Sequence, residues 1–566
     1  MTAASRRASL YFILSIGFGI VLCRALFLQI FQHEFLRKEG MARYARTLTL
    51  YAHRGSIVDR NGYPLAVSSA VYAIAASPKD IRLTNEKLAW LASLIHQDTK
   101  NIAAKLSKPE REFVYLARGL PPSIANRIAD QKIPGIMVIR EFRRYYPAGE
   151  VIAPLLGFTD IDGNGIEGIE YTFNDTLKGE NGAKQVIRDH NGLIIEDAKI
   201  IRPVKDGTDL TLSLDFALQY HAYKALANAV QSSGAKKGAL VLLDAKTGEA
   251  LALVSYPSYN PNNYAARVSP YRKHNALNNL LEPGSTIKPF TIAAALRSGP
   301  FRPQTLLNIG GSFSVPGGTV RDTHTYPTLT VSEVIQKSSN IGAAKIALAT
   351  PKDALWQVLH DTELTQKALA DFPGIPQGIL RPWKTWRPIE HATIAFGYGI
   401  SMNLFNLVRA YSVFANDGKI VPATIQPLRQ PLAQKEVLDP KIAQEVRAML
   451  EKVVLPGGTG TRAAIPGYRV AGKTGTAQKR VNGRYQSKQY LSLFVGFAPA
   501  GHPAFLCGVV IDDPKGAYYG GVVAAPAFTE TMNFALRKYN IPPDDPQQWI
   551  AQHAKKSSLV AKEGKP

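Results

Sequence analysis

The chain has 566 residues, 45% of them apolar and 20% charged, which exceeds one ordinary domain and supplies enough apolar side chain for two sizeable cores. Its formal charge of +23 comes from lysines and arginines scattered along the sequence, with no basic block and no aromatic-basic recognition motif, so a solvated basic surface is expected and no nucleic-acid partner. Two cysteines exclude a disulfide framework, and no Cys/His cluster has the spacing of a metal site.

In chain order, the first predicted element is a membrane span over residues 9–31. The run 10–23 is nearly all apolar and 25–30 extends it past Arg24, giving about the twenty residues that a bilayer core requires. Arg6 and Arg7 favour a cytoplasmic tail of residues 1–8, with the rest of the chain facing outward. A cleaved signal peptide is the competing reading, but the span is long and lacks a clear small-x-small cleavage site. Arg24 either snorkels to the outer interface or faces a partner helix. Cys23 lies inside the span and Cys507 in the strand pattern AFLCGVVI, so both read as buried apolar side chains.

Residues 32–206 read as a mixed pedestal. The stretch 51–68 has the pattern strand, turn, strand, with Asn61-Gly62 as hairpin signal, and 79–129 is patterned as helix. From 141 to 197 the chain is rich in glycine and charge, with turn signals at Asp162-Gly163, Asn181-Gly182 and Asn191-Gly192. A change comes at Asp206-Gly207. Strands are expected over 208–214, 238–244 and 250–255, with a long helix between the first two, and again over 469–477, 490–497 and 504–511. With helices in the middle of the sequence, 207–541 reads as an α/β domain, followed by a lysine-rich loose tail, 542–566.

Three short strings within this domain carry chemistry: Ser285-Thr286-Ile287-Lys288, Ser338-Ser339-Asn340 and Lys473-Thr474-Gly475-Thr476. Glu282-Pro283-Gly284 reads as a turn and 286–296 as a helix, so Ser285 falls near the N-cap, with Pro289 tolerated inside the first turn. Residues three apart share a helix face, which brings the Lys288 amine beside the Ser285 hydroxyl, with an unbonded backbone N–H aimed where an oxyanion would form. A lysine deprotonates serine only when neutral near pH 7, which needs burial or a neighbouring positive charge, and Lys473 is the candidate for that charge. The stretch 469–477 reads as a strand whose small residues admit a substrate backbone, where Lys473, Thr474 and Thr476 would grip a terminal carboxylate. Ser338 and Asn340 offer a proton relay and a hold on a substrate amide. Taken singly, the strings also read as an N-cap serine beside a surface lysine, a helix cap and a turn.

The ordered trio, together with RGSIVDRNG (54–62), RRYYPAGE (143–150), LLGFTDIDGNGIEGIE (155–170), SYNPNN (258–263), FGYG (396–399) and YYGG (518–521), resembles the class B penicillin-binding proteins, most closely the division-specific D,D-transpeptidases of the FtsI type. The resemblance runs from the anchor to about residue 542. It implies an α/β penicillin-binding transpeptidase fold, an antiparallel sheet flanked by helices, with an N-terminal mixed α+β pedestal of the dimerisation type and one transmembrane helix. It implies Ser285 as acylated nucleophile, Lys288 as general base, and Ser338 and Asn340 in proton relay and donor-strand binding. Lys473, Thr474, Gly475 and Thr476 would line the carboxylate site, and the Ser285 and Thr476 backbone N–H groups the oxyanion hole.

The implied substrates are peptidoglycan stem peptides cross-linked at the septum, with β-lactam antibiotics as inhibitors and no cofactor. The implied partners are an FtsW-type polytopic glycan polymerase and other divisome proteins of the inner membrane, the catalytic domain being periplasmic. Two segments depart from the family pattern: 400–408, where a threonine-proline-leucine-glutamine string is usual, and the loop 362–372. Rival readings are a serine β-lactamase, for which 361–365 (DTELT) faintly resembles an acidic loop, a D,D-carboxypeptidase, and a membrane-anchored scaffold.

Overall fold

The computed structural model describes residues 3–545 except 109, 112, 189–193, 370–371 and 482–483. The expected turn at Asn191-Gly192 and most of the expected tail, 546–566, lie outside the described residues. The first helix, Ala3–Ile30, contains a 24-residue apolar stretch, Arg7–Ile30, of mean hydropathy 2.1 with none of it buried in the protein. At about 1.5 Å per residue that stretch is long enough to cross a hydrocarbon core of about 30 Å, and a helix satisfies every backbone group internally, as lipid demands. It begins earlier than the predicted span, because the helix continues through Arg7 toward the N-terminus. Arg24 folds its guanidinium over the Phe27 ring at 5.5 Å. Cys23, expected to be buried, is exposed on this helix.

Two compact units interleave along the chain, one of Met1–Gly55, Ser68–Arg144 and Lys178–Thr208, the other of Ser56–Val67, Tyr145–Leu177 and Asp209–Pro566. In the first, the helices Asn85–Ile95, Thr99–Leu106 and Pro122–Asp130 close a core that includes Ile74, Leu91, Ile102, Leu116 and Ile128. Thr84 and Asp98 cap the first two helices, accepting from Lys87 and Lys100 N–H. The strand Val114–Leu120 interrupts what the sequence pattern suggested was all helix. It pairs with residues 72–76, and that ladder, supplied from about forty positions away, outweighs local propensity.

The second unit is built on five strands, β1 (Lys237–Asp244), β2 (Ala250–Tyr256), β3 (Ala471–Val481), β4 (Arg484–Ala498) and β5 (Phe505–Asp512). They lie in the order β2-β1-β5-β4-β3 with every neighbouring pair antiparallel. Alternate residues feed two cores: Ala239, Val241 and Leu243 join one, Leu240 and Leu242 the other, the period of a strand covered on both faces. Helix α1 (Phe216–Ser232) packs on the face of Leu240. Helices α2 (Lys288–Ser298), α3 (Val331–Lys337) and α4 (Asn340–Leu348) belong to the core of the opposite face, and α5 (Ala525–Lys538) returns to α1. The strand expected over 208–214 shrinks to Leu210–Thr211, since Asp215 turns the chain by capping α1 through Ala217 and Leu218 N–H. Asn61-Gly62 forms the expected turn, with Gly62 at φ +84°. Cys507 is fully buried on β5, and burial pushes its thiol pKa up.

Candidate active site

Ser285 lies in a 3₁₀ turn, Gly284–Ile287, that runs straight into α2. The expected α-helix from residue 286 therefore starts later, at Lys288, and Pro289 falls in its first turn, where a missing N–H costs nothing. A 3₁₀ turn eclipses residues three apart more closely than an α-helix does, and Lys288 Nζ reaches 2.9 Å from Ser285 Oγ. The turn depends on two glycines. Gly284 has φ +54°, and Gly397 of the FGYG string, at φ +93°, packs so closely beneath it that any Cβ would overlap the Gly284 carbonyl.

Helix α3 opens with a capping box, Thr330 Oγ1 accepting from Glu333 N–H while the Glu333 carboxylate accepts from Thr330 N–H. It ends at Ser338, which is left-handed at φ +63°, and Ser339 then caps α4 by accepting from Gly342 N–H at 2.9 Å. The helix-cap reading of this string is thus right for Ser339. Its neighbours turn inward: Lys288 Nζ donates to the Ser338 carbonyl at 2.6 Å and to Asn340 Oδ1 at 2.8 Å, and lies 3.3 Å from Ser338 Oγ. Asn340 Nδ2 donates to the Arg321 carbonyl at 3.3 Å, which fixes which end of the amide faces the lysine.

Lys473 is fully buried on β3, the edge strand, and its Nζ donates to Ser338 Oγ at 2.9 Å and to Thr474 O at 3.2 Å. Thr474 Oγ1 pairs with Thr459 Oγ1 at 2.8 Å, and Thr476 Oγ1 accepts from Gly520 N–H of the YYGG string at 3.3 Å. Gly475 lets the strand lie against the Ser285 turn, since a Cβ there would stand 2.9 Å from Thr286 Cγ2 and 3.0 Å from the Pro283 carbonyl. Ser285, Lys288, Ser338, Asn340, Lys473, Thr474, Gly475 and Thr476 are therefore gathered in one unit, and the Ser338 hydroxyl links the two lysines. Beside them opens a cavity of about 1410 Å³, lined among others by Glu282, Asn340, Tyr398 and Gln478.

Burial sets the electrostatics. It pushes Lys288 down to about 7, against the upward pull of the Asp322 carboxylate. Burial first, and then the charge on Lys288, pushes Lys473 well below the usual lysine range. Desolvation, and not the expected charge on Lys473, lowers Lys288, and between the two lysines the influence runs from Lys288 to Lys473. A neutral lysine has two protons and one lone pair, and the Ser338 carbonyl and Asn340 Oδ1 can only accept. Those two oxygens take the two protons, leaving the lone pair for the Ser285 hydroxyl.

Sequence reasoning missed Asp322. Its Oδ2 accepts from Ser339 Oγ at 2.5 Å, and its Oδ1 accepts from Ile341 N–H at 3.0 Å and from Asn340 N–H. No motif spacing marks a carboxylate 17 residues upstream of Ser339. Of the departing segments, 400–408 runs beside the chain that leads into the Ser285 turn, Met402 exchanging backbone hydrogen bonds with Leu281. In the other, the loop 362–372, Glu363 is held by Arg409 at 2.6 Å, and residues 370–371 lie outside the described ones. Among the described residues no cluster of His, Cys, Asp and Glu could hold a metal ion.

A family model described as the penicillin binding protein transpeptidase domain matches residues 238–533, and one described as the penicillin-binding protein dimerisation domain matches 49–212. The chain is 38% identical to the probable peptidoglycan D,D-transpeptidase PenA of Neisseria meningitidis, over 96% of this chain and 95% of that one. It is 39% identical to the peptidoglycan D,D-transpeptidase FtsI of Escherichia coli, over 94% and 91%. The crystal structure of penicillin binding protein 3 from Mycobacterium tuberculosis complexed with aztreonam is similar at a TM-score of 0.70 and 27% identity, over 88% of this chain and 99% of that one.

Proposed function

The chain belongs to the penicillin-binding protein family and is a peptidoglycan D,D-transpeptidase, and from that premise we propose that it cross-links stem peptides at the division septum through an acyl-enzyme on Ser285. The observation that carries the acyl-enzyme is the Lys288 amine, 2.9 Å from Ser285 Oγ, with its two protons committed to carbonyl oxygens. In this reading Ser285 Oγ attacks the carbonyl of the penultimate D-alanine as Lys288 takes its proton. The oxyanion is held by the Ser285 and Thr476 backbone N–H groups, and the proton passes by way of Ser338 to the departing D-alanine amine. An amine of a second stem then attacks the ester, forming the amide cross-link while Ser285 regains its proton.

Lys473, with Thr474 and Thr476, receives the donor's terminal carboxylate. An arriving anion raises the proton affinity of Lys473, and the positive charge so restored 2.9 Å from Ser338 Oγ keeps Lys288 neutral. Substrate binding therefore prepares the base. β3 is the edge strand, so among the described residues one side of it pairs with no other strand and offers a place for an extended peptide. β-Lactams acylate the same serine, presenting a strained amide and a carboxylate to the same groups.

We read the N-terminal apolar helix, long enough to cross a bilayer, as a single-pass membrane anchor. We read its N-terminus as cytoplasmic, residues 32–206 as the pedestal and 207–541 as the periplasmic catalytic domain, with an FtsW-type polymerase as membrane partner. Residues 542–566 are read as a loose tail. The septal role draws support from the FtsI-named relative. Intact-mass measurement after penicillin exposure, followed by peptide mapping, tests the acyl-enzyme: the adduct is expected on the peptide containing Ser285 and absent from S285A. An adduct elsewhere, or none in the wild type, rejects it.

A further inference from the structure

We propose that Arg321 is a specificity-determining residue for the donor: its guanidinium binds a second carboxylate on the stem peptide, borne by the side chain of the residue just upstream of the two terminal D-alanines. The inference rests on the donor lying along β3 with its terminal carboxylate at Lys473, and it names what the cavity selects further along that peptide.

The cavity lies where the upstream part of the donor leads. On β3 its lining starts at Gln478, two residues past Thr476, and it also includes Asn340. A peptide that ends at Lys473, Thr474 and Thr476 and runs extended along this edge therefore enters the cavity with the residue before its D-alanines. The Arg321 carbonyl accepts from Asn340 Nδ2 at 3.3 Å. The root of the arginine is thus one hydrogen bond from the amide assigned to hold the donor, and the residue itself lines the cavity.

Among the described residues that line the cavity, six are cationic and three are carboxylates. Glu390 holds Arg381 at 2.6 Å and Arg387 at 3.2 Å, and Asp512 holds Lys479 at 2.7 Å with Lys237 at 3.8 Å. Arg480 lies over the Tyr485 ring at 6.0 Å. The third carboxylate, Glu282, accepts from Gly399 N–H at 3.1 Å and from the Tyr485 hydroxyl at 3.2 Å. Arg321 differs from the other five cations: it is exposed, and its guanidinium has no ion pair or hydrogen bond among the described residues. The adjacent carboxylate of Asp322 does not neutralise it, since both oxygens are committed to Ser339, Asn340 and Ile341. A guanidinium offers two parallel donors that match a carboxylate, and a neutral amide in the same place forfeits the charge-assisted part of that contact.

The test uses the full-length protein and two synthetic pentapeptides ending in D-alanyl-D-alanine, whose third residue bears either a side-chain carboxylate or the matching carboxamide. The affinity of each is read from how far it slows labelling by a fluorescent penicillin, relative to the labelling rate of the same variant alone. No acceptor amine is present, so any preference belongs to the donor. The wild type is expected to bind the carboxylate peptide about two- to fivefold more tightly, the range of an exposed ion pair, and to lose that preference as salt is raised. R321A is expected to bind the two peptides equally, R321K to keep part of the preference and R321E to reverse it. Equal binding by the wild type, or a preference that survives in R321A and R321E, overturns the proposal. Failure of the underlying donor reading looks different: neither peptide then slows labelling, whatever residue stands at 321, and the inference falls with that reading.

Discussion

The Ser338 hydroxyl stands between two fully buried amines, 3.3 Å from Lys288 and 2.9 Å from Lys473. In the proposed acylation, the proton moving from Lys288 to the leaving group has this oxygen as its bridge, so S338A is expected to slow acylation by about 10²- to 10⁴-fold with little change in penicillin affinity, as stopped-flow labelling would resolve. In the same proposal Lys288, as base, fixes the pH dependence. With Lys288 at about 7, acylation is expected to fall below that pH by about tenfold per unit.

The same amine leaves a thermodynamic signature, since its folded pKa is lowered from 10.5 to about 7. Between those values the unfolded chain binds a proton that the folded chain refuses, so the stability cost of Lys288 grows as pH falls through that window and is complete below it. The melting temperature of K288M relative to wild type is expected to rise on going from pH 10 toward pH 7, measured by calorimetry. Which residues were legible follows from distance along the chain. Ser285 and Lys288 announce themselves three positions apart, whereas Asp322 reaches Ser339 only through the fold, and nothing in its own neighbourhood marks it.

Glycines decide how the site's elements approach one another. At Gly475, β3 touches the Ser285 turn with no side chain between, and G475A would press a methyl against Thr286 and the Pro283 carbonyl. The expected outcome is a fall in penicillin acylation of about a hundredfold with a modest loss of stability, since the turn can shift by a few tenths of an ångström but the hydroxyl then misses its target. G397A differs: a positive φ and a backbone overlap with Gly284 combine, so a loss of several degrees in melting temperature is expected, checked by thermal unfolding. The strands of the second unit were readable because apolar runs of seven or eight residues between turn signals are hard to place otherwise. The strand Val114–Leu120 was not, because its pairing partner lies far away in sequence, and neither was the start of α2, where a tighter turn replaces the first α-helical residues.

At the scale of the molecule, an apolar helical stretch of 24 residues with none of it buried is, among the described residues, the one element that water cannot accommodate. A variant lacking residues 1–32 is expected in the soluble fraction after lysis and centrifugation, still labelled by penicillin, because every site residue belongs to the second unit. The apolar helix and the three short strings were legible because each depends on residues close in sequence. The interleaving of the two units was not, since it arises where the segments Ser56–Val67 and Tyr145–Leu177 join a core whose other members follow residue 208.

The thiols of this chain sit at Cys23, on the anchor, and Cys507, sealed inside a sheet. Removing the anchor takes away the first, and the second is shielded from reagents while the fold persists. The truncated enzyme is therefore a blank background for chemical probes: a cysteine introduced at any surface position will carry a fluorophore or spin label alone, and motion at the rim of the cavity can be followed one site at a time without first mutating a native residue.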